Sequence, residues 1–219
     1  TWTREGKGPR DFLGKFAGYL QADAFSGYNA LFKPPKEDSA APVSIVEAGC
    51  WAHARRKFYD ARHSDGARAH EALNRIRDLY RIERRAKEAN LDARAIRALR
   101  QEEAKPILEK FFEWMASEQI AVLPKSPLGQ ALAYALSNKD ALSRYLEIGE
   151  LAIDNNVAER ALRKICVGRS NWLFAGSARG GRAAAIHNSL IESARRHGHD
   201  PFAYLRDLLT RIATHPRKD

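Results

Sequence analysis

The sequence predicts an α/β protein that is predominantly helical, and three features support this prediction. Two short apolar segments near the N-terminus, residues 16–23 and 43–48, have the length and composition of strands. Residues 67–146 then show helical periodicity without a strand pattern. A later helix, opening at residues 154–156, brings carboxylates, amides and cations together. We therefore expect a small sheet, a large helical block and a polar helix, in that order.

Length and cysteine content limit the classes of protein to which the chain can belong. With 219 residues it can bury a core in one large domain, or in one domain with a satellite. Its two cysteines form no disulfide framework, which favours the reducing cytoplasm. No segment reaches the ~18 apolar residues of a membrane span, and the first residues do not resemble a signal peptide. We therefore expect a cytoplasmic protein with no membrane partner.

The charge of the chain is unevenly distributed. Lys and Arg number 37 against 27 Asp and Glu, a net charge of +10. Residues 153–219 hold 12 basic and 6 acidic residues, so they carry +6 and the preceding residues carry +4. A basic excess concentrated at one end is typical of a protein that binds nucleic acid. A basic, soluble surface without such a partner would have the same composition, and this alternative stays open.

The first predicted strand, residues 16–23, ends on the carboxylate of Asp23. Open α/β sheets place their active sites beyond the carboxyl ends of interior strands, so Asp23 is a candidate site residue. Alternatively, Asp23 caps the turn that follows it. A short helical segment is predicted over Tyr28–Phe32, and the prolines of residues 34–42 indicate a loop.

The second predicted strand, Val43–Ala48, leads into a helix over Cys50–Arg62. One face of that helix is apolar and the other is basic. The apolar face consists of Trp51, Ala54, Phe58 and Ala61, and the cations on or beside the other face are Arg55, Arg56, Lys57 and Arg62.

Cys50 and His53, at the start of this helix, have the C-x-x-H spacing of half a zinc site. No second pair with suitable spacing follows, since the remaining candidates are Cys166 and the segment His197–His199. The spacing therefore favours packing of a small thiol and a capping histidine over zinc binding.

The helical block shows three apolar stripes and two predicted breaks. We place the breaks at residues 90–92 and at Pro106, and a loop at residues 124–127. Charges of alternating sign along the block indicate solvated helix faces. Residues 147–153 are predicted as a turn or a short hairpin. The stripes contain Leu73, Ile76, Leu79 and Tyr80; Ala95, Ile96 and Leu99; and Ile107, Leu108, Phe111, Phe112 and Met115.

Glu159 is the second candidate carboxylate. It lies at the edge of an apolar face, with Arg163 as its i,i+4 partner, and could point from a packed helix into a cleft. Alternatively, Asn156 is an N-cap and Glu159 completes a capping box, an interpretation that spacing alone favours. The apolar face is formed by Val157, Ala158, Ala161, Leu162 and Ile165.

Residues 169–182 interleave basic, aromatic and glycine residues. Arginines can pair with phosphates, aromatic rings can pack on sugars or bases, and glycines let the backbone approach a strand. Alternatively, Trp172 and Phe174 anchor a short buried strand. A helix over residues 183–197 with Gly198 as C-cap follows, and Asp200–Pro201 opens a last helix.

Taken together, six segments resemble successive blocks of the IS66-family insertion-sequence transposases. They occur in the family's order and extend from about Gly18 to Leu209, which is far more specific than any one block. The segments are GYLQADAFSGYNALF (18–32), EAGCWAHARRKF (47–58), LPKSPLGQALAYAL (123–136), IDNNVAERALR (153–163), GRSNWLFAGS (168–177) and SLIESARRHGHDPFAYL (189–205).

The resemblance implies a partial RNase H-like catalytic core of the acidic-triad (DDE) type. The core would occupy residues 1–165, with an all-α insertion over about 67–146, and a basic C-terminal helical element would occupy residues 166–212. By the same resemblance, Asp23 matches the family's second acid and Glu159 its glutamate. The first acid is expected upstream of Gly18, where Asp11 is poorly placed, so we expect the chain alone to be inactive.

The same resemblance implies a chemistry and a set of partners. Asp23 and Glu159 would bind Mg²⁺, with Mn²⁺ as a substitute, for phosphodiester cleavage and strand transfer at the ends of a transposon in double-stranded DNA. Arg160, Arg163 and Lys164 would contact phosphates. The transposon end would be held by Arg169, Trp172, Arg179 and Arg182.

Two other hypotheses remain alongside this one. In the first, the chain is a non-catalytic basic DNA-binding or regulatory fragment, and its carboxylates are caps. In the second, it is a fragment that pairs with full-length transposase and inhibits it. The expected protein partners are accordingly a second copy of the chain, as a homodimer, or full-length transposase.

Overall fold

The computed structural model describes residues 6–13, 16–32, 45–172 and 175–216. The side chains of Lys164, Arg169, Asn171 and Trp172 lie outside that description, as does the predicted loop over residues 34–42. The chain divides into two compact units, Thr1–Asn155 and Asn156–Asp219. The predicted boundary between residues 165 and 166 falls within the second unit, and as a functional division it stays a prediction.

The two predicted strands are present as a parallel pair, and the first is shorter than predicted, while residues 43 and 44 of the second lie outside the described residues. After a short helix α1 (Lys7–Leu13), strand β1 (Gly18–Gln21) pairs with β2 (Ile45–Ala48), and Gly18 lies opposite Ile45. One further ladder bond, from the Ala22 N–H to the Ala48 carbonyl at 2.9 Å, extends the pairing to the residue before Asp23. Parallel strands end at the same edge of the sheet, so the residues that follow β1 and β2 lie at that edge.

A cluster of helices forms the core of the first unit. Their predicted apolar stripes are buried or half-buried, because each helix turns one face toward its neighbours. Trp51 lies at the centre, stacked on Phe111 at 5.9 Å between ring centroids, and its indole N–H donates to the Leu142 carbonyl at 2.9 Å. The helices are α2 (Trp51–Asp60), α3 (Gly66–Glu88), α4 (Ala93–Leu99), α5 (Lys105–Ala121), α6 (Pro127–Ser137) and α7 (Lys139–Ser143), with 3-10 turns at Ser26–Tyr28, Ala61–His63 and Arg144–Leu146.

The break predicted at Pro106 is wrong, whereas the one at residues 90–92 is confirmed. Asn90 has a φ of +49° and ends α3. Near Pro106 the chain instead passes from α4 through a π-helical turn, Arg100–Ala104, directly into α5. The wider π turn alters the hydrogen-bond ladder just before the proline, so the missing N–H in the first turn of α5 does not end the helix.

Arg100 anchors residues 145–149 to the helical block. Its guanidinium is 3% exposed, binds both carboxylate oxygens of Glu83 at 2.8 and 2.6 Å, and donates to the carbonyls of Tyr145 and Ile148. A Cβ on Gly149 would lie 1.8 Å from the Ala93 carbonyl oxygen, so this approach requires glycine. Residues 147–153 accordingly form a compact turn and not a hairpin.

The second unit consists, in its described part, of three helices. They are α8 (Asn156–Trp172), α9 (Ala178–Arg196) and α10 (Pro201–Ile212), and α9 packs on α10. Asp200 caps α10 by accepting the Ala203 N–H at 2.7 Å, and Gly198, with a φ of +74°, follows α9 as predicted.

Three predictions for the second unit need correction. α8 continues to Trp172, so this residue does not anchor a strand; Phe174 lies outside the described residues. α9 begins five residues earlier than predicted and includes Gly180 and Gly181, because Ser177 caps it through the Gly180 N–H at 3.0 Å. The apolar face of α8 is not packed: Val157 is 61% exposed and Leu162 59%.

Candidate active site

Asp23 follows β1 directly and is held in a tight turn. Its Oδ1 accepts the Phe25 N–H at 3.3 Å, and Ala24 between them adopts a left-handed φ of +60°. The Tyr134 hydroxyl donates to the Asp23 carbonyl oxygen at 3.2 Å. The side chain is still 41% exposed, so the carboxylate both caps the turn, as one interpretation predicted, and remains accessible to a substrate.

The second oxygen of Asp23 faces the imidazole of His53. His53 lies in the first turn of α2, and its Nε2 is 3.9 Å from Asp23 Oδ2, an ion-pair distance when the ring is protonated. The C-x-x-H spacing indicated His53 only as a zinc ligand or a cap. The signal that could have identified it is its place after the strand parallel to the Asp23 strand, since both strands end at one edge.

The segment that leads to Glu159 is tied to this same edge by side chains from the strand ends. Gln21, the last residue of β1, donates from Nε2 to the Ala152 carbonyl at 2.7 Å and approaches the Gly49 carbonyl at 3.4 Å. The backbone N–H of Trp51 donates to the Ile153 carbonyl at 3.1 Å. Residues 152 and 153 therefore lie against the last residue of β1 and a residue that follows β2, a proximity that the sequence did not predict.

Cys50 and Tyr80 secure the next two residues of the segment. The buried Cys50 thiol donates to Asn155 Oδ1 at 3.0 Å and receives the Asn155 N–H at 3.5 Å. Burial raises the pKa of Cys50, which keeps the thiol protonated and able to donate. The Tyr80 hydroxyl donates to Asp154 Oδ2 at 2.8 Å. Burial, together with this carboxylate, raises the pKa of Tyr80 well above its ordinary range. These contacts agree with the packing interpretation of Cys50.

The remaining predicted site residues lie in the second unit. Glu159 is exposed in the first turn of α8, and Arg160 and Arg163 are exposed on the same helix. Arg179 and Arg182 are exposed in the first turns of α9, not in a glycine-rich loop. The side chains of Lys164, Arg169 and Trp172 lie outside the described residues. Asp23 and Glu159 belong to different units, and their predicted approach across one cleft stays a prediction.

The donor atoms at Asp23 limit what the first unit can bind. Mg²⁺ prefers several oxygen ligands, and here one carboxylate is accompanied by an imidazole. Within the described ranges, no three His, Cys, Asp or Glu side chains are grouped closely enough to hold a metal ion. Asp23 thus fits as one ligand of an oxygen-rich site that needs further carboxylates.

Comparison with known proteins identifies the family. Residues 1–183 match the profile described as "Transposase IS66 family", and residues 189–219 match the "IS66 C-terminal element". No solved structure matches the chain. None of the helices in the described residues has the length and apolar character needed to cross a membrane.

Three curated proteins of Sinorhizobium fredii (strain NBRC 101917 / NGR234) are similar over almost the whole chain. The uncharacterized protein y4hP is 36% identical over 97% of the chain, y4qI 39% over 92%, and y4jD 31% over 92%. These matches cover 40%, 37% and 39% of the relatives' own lengths, so the chain spans about two fifths of each. With the two profiles covering nearly every residue, the chain belongs to the IS66 family of transposases and carries the family's C-terminal element.

Proposed function

We propose that this chain is part of an IS66-type DDE transposase and supplies two of its catalytic carboxylates, Asp23 and Glu159. The observation that carries the proposal is the position of Asp23. It follows β1 at the edge where β2 also ends, and it is exposed beside His53. That edge is where α/β sheets place active sites, and an RNase H-like core would use it in this way.

The anchoring of residues 152–155 supports the assignment of Glu159. Gln21, Cys50 and Tyr80 hold this segment at the same edge. Glu159 follows Asn155 by four residues, so the length of the chain alone limits how far its carboxylate can lie from the Cys50–Asn155 contact. A helix that begins at Asn156 places Glu159 in its first turn.

The reaction would be cleavage of a phosphodiester followed by strand transfer. Asp23 and Glu159, with a third carboxylate from outside residues 1–219, would hold Mg²⁺ or Mn²⁺ through oxygen atoms. When bound, these ions would activate the attacking hydroxyl and stabilise the charge that develops on the leaving oxygen. The residues of this chain would orient the ions and the DNA strand.

The DNA would be held by cations on the second unit. Arg160, Arg163, Arg179 and Arg182 are exposed, and residues 153–219 carry a net charge of +6. We extend the proposal to Lys164, Arg169 and Trp172 from the resemblance alone. Contacts of this kind neutralise phosphates and release counterions, so binding to duplex DNA would weaken steeply as salt increases.

Strand cleavage of a matched transposon end tests the catalytic part of the proposal. The protein is extended by the sequence encoded upstream of Thr1, and Asp23→Asn and Glu159→Gln are each introduced. Either change should lower cleavage by three orders of magnitude or more, because the members of such a site act as a unit. Glu192→Gln is the matched control, since Glu192 pairs with Arg195 at 2.8 Å on α9.

Two results would contradict the proposal. Full activity of Asp23→Asn would remove this residue from the site, and loss of activity in Glu192→Gln but not in Glu159→Gln would move the last acid to α9. The 219-residue chain without the extension should not cleave. Cleavage by this shorter chain would show that the third carboxylate lies within residues 1–219.

A non-catalytic DNA-binding or regulatory role is the second candidate, and the exposed cations of α8 and α9 favour it. It predicts salt-sensitive DNA binding by the extended protein without cleavage in Mg²⁺ or Mn²⁺, and no effect of Asp23→Asn on that binding.

A further inference from the structure

The exposed side of α2 concentrates positive charge beside Asp23. Trp51, Ala54 and Phe58 bury one side of the helix in the core. The other side and the turn that follows carry four cations and one exposed aromatic ring. We name this surface the α2 basic face; it consists of Arg55, Arg56, Lys57, Tyr59 and Arg62.

Among the described residues, the cations of the α2 basic face lack the acidic partners that several arginines of the helical block have. On α3 and the π turn, arginines pair with carboxylates at 3.3 Å or less, as in Arg75–Glu71, Arg85–Glu103 and Arg100–Glu83. In the described part of the chain, no ion pair involves any cation of the α2 basic face. Asp60 is the single acid among residues 51–63. The face therefore has surplus positive charge available to an anionic partner.

Aromatic rings lie beside three of these cations, Arg55, Lys57 and Arg62. The Arg62 guanidinium lies 3.2 Å from the Tyr59 ring centroid and donates from Nε to the Tyr59 carbonyl at 2.8 Å. Arg55 approaches the same ring at 5.9 Å. Tyr59 is itself 44% exposed. Side chains held in this way lose less conformational entropy when they bind a ligand.

The α2 basic face is also linked to Asp23 through Tyr134. Lys57 Nζ lies 4.7 Å from the centroid of the Tyr134 ring, and the Tyr134 hydroxyl donates to the Asp23 carbonyl oxygen. His53, which faces Asp23 Oδ2, precedes Arg56 and Lys57 by three and four residues. The face therefore begins one helical turn, ~5.4 Å, from His53, which lies beside Asp23.

We propose that the α2 basic face binds the phosphate backbone of duplex DNA, on the strand whose phosphodiester lies at Asp23. The inference rests on the proposed function, because it takes Asp23 as part of the reacting site. Unpaired guanidinium and ammonium groups on one rigid helix match a row of phosphates, and no base contact is required. The first unit then holds the reacting strand independently of the cations on α8 and α9.

Fluorescence anisotropy with a labelled DNA duplex tests this surface in the full 219-residue chain. The test variant combines Arg55→Ala, Arg56→Ala and Arg62→Ala. The control combines Arg77→Ala, Arg94→Ala and Arg97→Ala, which remove the same charge from exposed positions of the helical block. Within the described ranges these three arginines form no ion pair with a carboxylate. Affinity is measured over a range of salt concentrations, and circular dichroism checks that each variant is folded.

The expected result is a loss specific to the α2 variant. The slope of log K against log salt should become shallower by up to about 2.7, or ~0.9 for each phosphate contact removed, and the control should keep the slope of the unmutated chain. Replacing the same three arginines by lysine should restore most of the slope, because lysine keeps the charge. If the alanine variant unfolds, the lysine variant takes its place in the test, and it must bind DNA with the affinity of the unmutated chain.

Three outcomes would overturn the inference in distinguishable ways. Unchanged affinity of the alanine variant would exclude the α2 basic face as a DNA surface. Equal losses in the α2 and control variants would show that net charge alone matters. Absence of DNA binding by the unmutated chain would contradict the proposed function itself, and the inference with it.

Discussion

The two oxygens of the Asp23 carboxylate have different surroundings. Oδ1 accepts the Phe25 N–H, while Oδ2 faces His53 Nε2 at 3.9 Å. The turn that holds Oδ1 includes Ala24 at a left-handed φ, a conformation that costs about 1–2 kcal/mol in an L-residue other than glycine. Such strain is found at functional sites, where the surrounding structure fixes a side chain in place. Here it leaves Oδ2 as the oxygen available to a ligand.

Glu47 gives a prediction for the effect of pH on stability. It lies on β2, and partial burial raises the pKa of its carboxyl above the usual 4.5. The folded protein therefore holds this proton more tightly than the unfolded chain does. The stabilisation is complete below pH 4.5 and is lost as the pH rises through the raised folded value.

The variant Glu47→Gln should therefore be more stable than the unmutated protein at neutral pH. Below pH 4.5 the two proteins should have nearly equal midpoints of thermal unfolding, because Glu47 is then protonated and resembles glutamine. The measurement is the difference between the two midpoints across this pH range. A difference that does not change with pH would show that burial of Glu47 does not penalise its charge.

At the scale of the element, helix boundaries depend on caps and on close packing as well as on periodicity. Asp65 caps α3 by accepting the Arg68 N–H at 3.1 Å, and Arg68 holds the pKa of this carboxyl below its usual value. The first turn of α9, capped by Ser177, requires glycine at position 180, where a Cβ would lie 2.1 Å from the Ala175 carbonyl oxygen. Because residue 180 has no Cβ, the Ala175 carbonyl can lie close to the first turn of α9.

The buried Arg100–Glu83 pair supports the junction between the π turn and residues 145–149, and a double-mutant cycle tests it. Arg100→Met should lower the free energy of unfolding by about 3 kcal/mol, because it leaves Glu83, only 18% exposed, without its cation. Combining it with Glu83→Gln should cost less than the sum of the single changes by about 1 kcal/mol or more. Urea unfolding of the three variants gives these values.

The exposed pair Arg81–Asp78 on α3 is the matched control for this cycle. Its atoms are 3.3 Å apart and its arginine side chain is 65% exposed, so its coupling should be below about 0.5 kcal/mol. Equal coupling energies in the two cycles would mean that burial of Arg100 adds nothing to the interaction.

At the scale of the whole molecule, the two units differ in how much apolar surface they bury. The first has a continuous core around Trp51 and Phe111. In the described part of the second unit, Ala194 is the one buried hydrophobic residue, while Leu162, Phe202 and Leu209 are each more than half exposed. Burial of apolar surface is the main favourable term in folding, so the two units should differ in stability.

Separate expression of the two units tests this difference. Residues 1–155 should unfold cooperatively on heating, with a sharp change in circular dichroism at 222 nm, the helix band. Residues 156–219 alone should show a broad, non-cooperative loss of helix, since isolated helices are marginal without packing. A sharp transition in the second fragment would show that α9 and α10 form a sufficient core by themselves.

The sequence by itself determined the features that depend on neighbouring residues. Apolar spacing located both strands and the buried faces of α2 and α5, while Asp200, Pro201 and Gly198 marked helix ends correctly. The order of six blocks indicated the IS66 family, which the comparisons confirmed. These signals extend over one or two turns of chain, or consist of short sequence blocks, so no packing is needed to recognise them.

The tertiary structure alone decided the contacts between distant parts of the chain. It placed His53 beside Asp23, tied Asn155 to Cys50 across 105 residues of sequence, and carried a helix past Pro106 through a π turn. It also left the apolar side of α8 exposed, where periodicity had predicted a packed face. Periodicity shows which residues share a face, but what covers that face depends on how the whole chain packs, and no local pattern contains that information.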